Sequence, residues 1–162
     1  MIRRPPRSTL SSSSAASDVY KRQIVHTSRA AGSAGRTRMT AVAWGSPMQG
    51  GNNILVSAAV DGSLVMWSGE GPYSRPAAEV RGAHTAGTWT SGLDISADGR
   101  LVVTKGGDDL IKLWDTRKFK QPVNTVAYPS SSAQYSTSNI CFSPNSTNVI
   151  TCLLYTSPSP RD

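Results

Sequence analysis

Between residues 39 and 151, apolar and polar residues alternate in short bursts separated by turn-forming residues. A period of two marks half-buried β-strands, whereas amphipathic helices repeat apolar residues every three or four positions. Val42 and Trp44 set the alternation of one predicted strand, and Leu93 and Ile95 that of another. Each is followed by a second run, at 54–60 and 101–105. Ala97-Asp98-Gly99-Arg100 precedes the second of these runs, and Ser143-Pro144-Asn145 forms a comparable turn further on. Asp61-Gly62 and Asp108-Asp109 then break the pattern. Asp-Gly between alternating runs is a strong hairpin signal, because the favoured two-residue turns need positive φ. Third strands are predicted at 63–67 and 110–114, and weaker fourth strands at 78–81 and 123–127.

This order of strands and turns occurs in residues 39–68 and again in 90–115, and a third unit opens at Ser138 with SNICFSPNSTNVIT. Trp67 and Trp114 stand 47 residues apart. Repeats of four short strands at roughly 40–45 residues build β-propellers. The expected fold is all-β: a partial propeller of about two and a half blades of four-stranded antiparallel sheet. Blades are expected at 39–84 and 85–128, with part of a third at 137–151.

The flanks have a different texture. Residues 1–23 carry prolines and a serine run with no strand or helix period. Such a segment cannot bury a core face and is expected to be disordered. Residues 24–38 read as a linker, and 152–162, which fall into Ser-Pro repeats, as a disordered tail. Both flanks resemble translated sequencing-adaptor sequence, which would make them non-native and the chain a piece of a longer propeller. The competing reading is a native basic tail that binds nucleic acid or a transport receptor. Of the net charge of +7, four units come from Arg3, Arg4, Arg7, Lys21 and Arg22 set against Asp18. The remainder is too small to single out a nucleic-acid partner.

No apolar run approaches the roughly 18 residues of a spanning helix, and the N-terminal arginines precede no apolar signal region. Cys141 and Cys152 are too few for a disulfide framework or a metal site and fit a reducing compartment. These features point to a cytosolic or nuclear setting without a membrane.

Residues 39–151 resemble the WD-repeat family of β-propellers, most specifically at LIKLWD within the stretch GGDDLIKLWDTRK, residues 106–118. That resemblance implies a buried network pinning each blade: a His before the first strand, a Ser or Thr in the second, an Asp at the next turn and the Trp of the third. His84, Thr104, Asp108 and Trp114 stand at these places in the second unit. Ser57, Asp61 and Trp67 stand at them in the first, where His26 is too far upstream to complete the set. A buried carboxylate needs donors, which an imidazole, a hydroxyl and an indole N–H can supply.

Residues 84–123 are similar to the WD repeat-containing protein 70 (gastrulation-defective-like) family. The likeness rests on Ala83, His84, Gly87, Thr90 and Ser91, on the block from Gly106 to Phe119 with Pro122, and on Cys141 to Pro144. It implies a non-enzymatic nuclear scaffold without cofactor or metal, acting as a cullin-4 ubiquitin-ligase substrate receptor in DNA-damage and chromatin responses. Its partners would be the damaged-DNA-binding adaptor of that ligase and chromatin proteins. Full members carry a complete propeller and long polar flanks, from which this chain departs.

Trp114-Asp115-Thr116-Arg117 resembles the W-D-x-R motif by which some WD proteins dock that adaptor. Trp114, Asp115 and Arg117 are therefore candidate partner-binding residues, with Arg117 offering a rigid fork to a carboxylate or carbonyl. The plainer reading is a local Asp115–Arg117 surface pair worth less than about 1 kcal/mol. Lys112, Arg117, Lys118 and Lys120 gather around Trp114 and Phe119. Such a mix can hold single-stranded nucleic acid, or be a solvated strand edge. The former carries the alternative function, an RNA-associated WD scaffold that touches the phosphate backbone.

His84 lacks the partners of a metal or catalytic site, so its expected role is structural. The loop at 30–38 lacks the G-K-[ST] ending of a phosphate loop. The Asn145-Ser146-Thr147 sequon matters only in a secreted chain. No nucleophile–base–acid set or cofactor cradle is visible, and no enzyme activity is expected.

Overall fold

The computed structural model describes residues 13–18, 23–29, 38–45, 53–68, 76–128 and 139–151. β3 (Met39–Trp44), β4 (Ile54–Ala59), β5 (Leu64–Ser68) and β6 (Ala78–Val80) form one four-stranded antiparallel sheet in chain order. β7 (Thr90–Ile95), β8 (Leu101–Gly106), β9 (Leu110–Asp115) and β10 (Pro122–Ala127) form a second of the same design. β11 (Ile140–Phe142) and β12 (Val149–Thr151) pair as the start of a third. The second, third and fourth strands of both complete sheets lie within one residue of their expected bounds. A 3₁₀ turn, Thr116–Lys118, links β9 to β10.

β4 is buried along its whole length, which is why ILVSAA has no polar face. Its even positions, Ile54, Val56 and Ala58, join Leu64, Met66 and Val80 of the first sheet in one core. Leu93, Ile95, Val102, Trp114 and Phe119 of the second sheet close that core from the other side. The sheets therefore stack face to face, and each such side chain contributes roughly 1.5–3 kcal/mol on burial. Leu55, Val65 and Trp67 point to the opposite side of the first sheet and form a smaller cluster.

The third unit docks on the second through matched polar contacts. The Phe142 N–H donates to Asp94 Oδ2 at 2.7 Å, and the Ala97 N–H to Ser146 Oγ at 2.8 Å. Gly92 is needed between them, because a Cβ there would stand 2.8 Å from Ile140 Cγ2.

Two expectations are corrected. Leu93 and Ile95 are buried, but Val42 and Trp44 at the matching places in β3 are 58% and 47% exposed. The register sets Ala41 opposite Ala58 and Ala43 opposite Val56, so the alanines of β3 face the shared core. Alternation reveals that a strand has two faces, but the neighbouring sheet decides which is covered.

The second correction concerns the N-terminal region, expected as a disordered flank at 1–23 and a linker at 24–38. β1 (Ser13–Asp18) and β2 (Gln23–Arg29) instead pair as an antiparallel hairpin, with an irregularity at Ala16/Ser17. Ile24, Val25 and Thr27 are β-branched and favour extended backbone. Residues 30–37 of the loop at 30–38 lie outside the described residues, as do the remainder of 1–23 and the tail at 152–162.

Candidate functional site

The β8–β9 hairpin and the segment after β6 bring His84, Thr104, Asp108 and Trp114 into one hydrogen-bond chain. His84 Nδ1 lies 2.9 Å from Asp108 Oδ1, and His84 Nε2 lies 2.8 Å from Thr104 Oγ1. The Trp114 indole N–H donates to the same Thr104 oxygen at 2.9 Å. One direction satisfies every atom. The indole donates to the hydroxyl, the hydroxyl to Nε2, and the Nδ1–H to the carboxylate. The imidazole is then neutral. Burial lowers the His84 pKa, and Asp108 only partly offsets this by favouring the charged form.

Burial also pushes the Asp108 carboxyl up. The Thr85 N–H, His84 and Lys112 outweigh that push and hold it below its ordinary value. The Thr85 N–H reaches Asp108 Oδ2 at 3.0 Å. Gly106 makes the close approach possible, since a Cβ there would lie 2.2 Å from Asp108 Oδ1 and 2.3 Å from His84 Nδ1. Neither the Thr85 contact nor the space over Gly106 is visible in residue types; a glycine two places before the turn aspartate was the one available signal.

The first sheet does not assemble this chain. Asp61 Oδ1 accepts from the Ser63 N–H at 2.9 Å and from Ser63 Oγ at 2.5 Å, within its own turn. Ser57 Oγ, which matches Thr104 Oγ1 in register, is buried and has no hydrogen-bond partner among the described residues. Trp67 is buried in the smaller cluster.

Beyond β9 the picture changes from buried to exposed. Asp115 caps the 3₁₀ turn, its Oδ1 accepting from the Arg117 N–H at 2.8 Å. The Arg117 guanidinium folds back to Asp115, with Nη2 3.2 Å from Oδ2, and its side chain remains 68% exposed. The side-chain bond from Arg117 is the main reason the Asp115 carboxyl lies below its ordinary value. Trp114, by contrast, is 1% exposed and its N–H is committed to Thr104. Of the candidate partner-binding residues, Asp115 and Arg117 reach the surface and Trp114 does not.

The basic and aromatic cluster also separates. Phe119 is buried, its ring centroid 5.8 Å from that of Trp114. Lys112 turns inward and donates to the Ala83 carbonyl. Both rings that a nucleic-acid base would stack on thus belong to the core.

The Ala97–Arg100 turn, read in the sequence only as a strand connection, also carries an exposed arginine. Asp98-Gly99-Arg100 shares the cap of Asp115-Thr116-Arg117: Asp98 Oδ1 accepts from the Arg100 N–H at 3.0 Å, but Gly99 has a φ of 66° and Arg100 Nε stands 3.9 Å from Asp98 Oδ2, beyond hydrogen-bond reach. The shared D-x-R tripeptide was the signal. Among the described residues no three His, Cys, Asp or Glu converge on a metal-sized point, and no helix is long and apolar enough to cross a membrane.

The chain is 38% identical over 98 residues to WD repeat-containing protein 70 of Xenopus tropicalis. It is 32% identical over 98 residues to the gastrulation defective protein 1 homolog of Drosophila melanogaster. The chain carries WD-repeat propeller blades. The WD-repeat alignments cover 60% of this chain and 15% of each relative, so the chain spans a small part of the length of the proteins it matches. A chain in the crystal structure of the mitotic checkpoint complex superposes with a TM-score of 0.52 at 20% identity, over 68% of this chain and 29% of its own. That likeness speaks to the WD-repeat fold alone. No model of a known protein family matches the chain.

Proposed function

We propose that these blades belong to a non-enzymatic nuclear scaffold that docks the damaged-DNA-binding adaptor of a cullin-4 ubiquitin ligase and presents chromatin proteins to it. The WD-repeat homologues and the propeller fold support a protein-interaction scaffold. The finer reading rests on one observation: Arg117 is exposed and held in a defined orientation by Asp115 immediately after the third strand of its blade. A guanidinium with its carboxylate partner at its base loses less freedom on docking than a mobile lysine does.

The test is binding of the purified adaptor to the full chain and to Arg117→Ala. Loss of binding with an unchanged far-ultraviolet spectrum supports the proposal; wild-type affinity in the variant refutes it. The RNA-scaffold alternative loses its stacking surface, because Trp114 and Phe119 are buried. Its own signature would be steep weakening of RNA binding as salt rises.

A further inference from the structure

We infer that Arg100 is the second arm of the docking surface, and that the two D-x-R turns of this blade together grip paired carboxylates on a protein partner. The inference rests on the reading of Arg117 as a docking residue. The turns are alike in construction. In each, the aspartate Oδ1 accepts the N–H of the arginine two residues on, at 3.0 Å for Arg100 and 2.8 Å for Arg117. The Arg117 guanidinium bonds Asp115 Oδ2 at 3.2 Å, Arg100 stands as an ion pair 3.9 Å from Asp98 Oδ2, and the side chains stay 68% and 66% exposed.

They are also stapled to one another. The Thr116 N–H donates to the Arg100 carbonyl at 2.9 Å, and Thr116 Oγ1 donates to the Gly99 carbonyl at 3.0 Å. Thr116 is the middle residue of one turn and binds the last two of the other, so the backbones that carry the two arginines are fixed to each other.

Among the described residues the platform occurs in this blade alone. At the matching turn of the third unit Asn145 stands for Asp98 and Thr147 for Arg100, so the capping bond from the Thr147 N–H to Asn145 Oδ1 survives at 3.2 Å but the cation is gone. The first blade has Ser68 where Asp115 stands. A protein carboxylate fits the platform better than a nucleic-acid backbone. Each guanidinium already has its own aspartate, so the platform carries little net charge and lacks the positive field that holds a dense row of phosphates, while directed N–H forks remain for single carboxylates. The two nearest aromatic rings are buried. A guanidinium has five N–H donors, so each arginine can keep its own aspartate and still offer a fork outward.

The experiment measures adaptor affinity for the full chain and for Arg100→Ala, Arg117→Ala, Arg100→Lys and the double alanine variant. Backbone groups of Arg100 hold its turn, so Arg100→Ala should melt as the parent does. Each alanine is expected to weaken binding about tenfold, and Arg100→Lys should recover only part of it, since lysine has no planar fork. If Arg117→Ala weakens binding but Arg100→Ala does not, this inference falls and the docking proposal stands. If neither does, both fall. If instead a single-stranded RNA oligomer binds and loses affinity in Arg100→Ala, the platform reads phosphate and the inference is overturned.

Discussion

Thr104 and Ser57 occupy the same register position in successive blades, and replacing them should have opposite consequences. Thr104→Val keeps the side-chain volume and removes the hydroxyl. The Trp114 N–H, at 2.9 Å, and His84 Nε2, at 2.8 Å, then lose their shared partner inside the core. A buried polar group left without a partner costs about 1–3 kcal/mol, so two of them predict a loss of about 2–6 kcal/mol. Ser57→Ala removes a buried hydroxyl that has no partner among the described residues. Its desolvation cost disappears while little volume is lost, and the expected change runs from zero to a gain of about 1 kcal/mol.

Urea unfolding followed by tryptophan fluorescence and by far-ultraviolet circular dichroism separates the two. With a mid-range slope of about 2 kcal/mol per molar urea, Thr104→Val should lower the midpoint by roughly 1 to 3 M. Thr104→Ser, which keeps the hydroxyl, should recover most of it. Equal shifts for Thr104→Val and Ser57→Ala, or a Thr104→Val change below about 0.5 kcal/mol, would show that the bond chain does not hold the blade.

Two further outcomes follow from the same network. Gly106→Ala should cost about 1–3 kcal/mol in the urea experiment, because its Cβ would enter the space between Asp108 and His84; a midpoint at the parent value contradicts the close approach. Stability should also fall on acidification. His84 and Asp108 both have folded pKa values below their ordinary 6.5 and 3.8, so the unfolded chain binds more protons below each of those values. The contribution of each is present above its ordinary value and is lost as pH falls through the lowered folded value. His84→Gln should remove the portion of that slope beginning near pH 6.5, and an unchanged profile in the variant would contradict a neutral buried imidazole.

Much of the blade architecture was legible because it is written locally. Alternation and the Asp61-Gly62 and Asp108-Asp109 turns bound each strand through contacts between residues close in the chain. Gly62 and Asp109 adopt positive φ, at 78° and 60°, as the last residues of three-residue hairpin loops in place of the two-residue turns expected. The N-terminal hairpin was not legible, because SSAASD has no apolar stripe and its pairing comes from the backbone of a strand further on.

The residue types at the network and at the W-D-x-R turn were plain in the sequence by itself, and so was the repeat that places them in a blade. Only the tertiary structure decided what each could do. Trp114 and Arg117 are three residues apart, yet the first lies in the core between sheets and the second in solvent. Val42 and Leu93 share a register position, yet only Leu93 faces a neighbouring blade. Asp98 and Arg100 became part of a platform through two bonds from Thr116, which is 16 residues beyond Arg100 in the chain. The physical reason is common to all three. Strand formation is governed by short-range backbone geometry, whereas burial and hydrogen-bond partnership depend on which distant surface packs against a face.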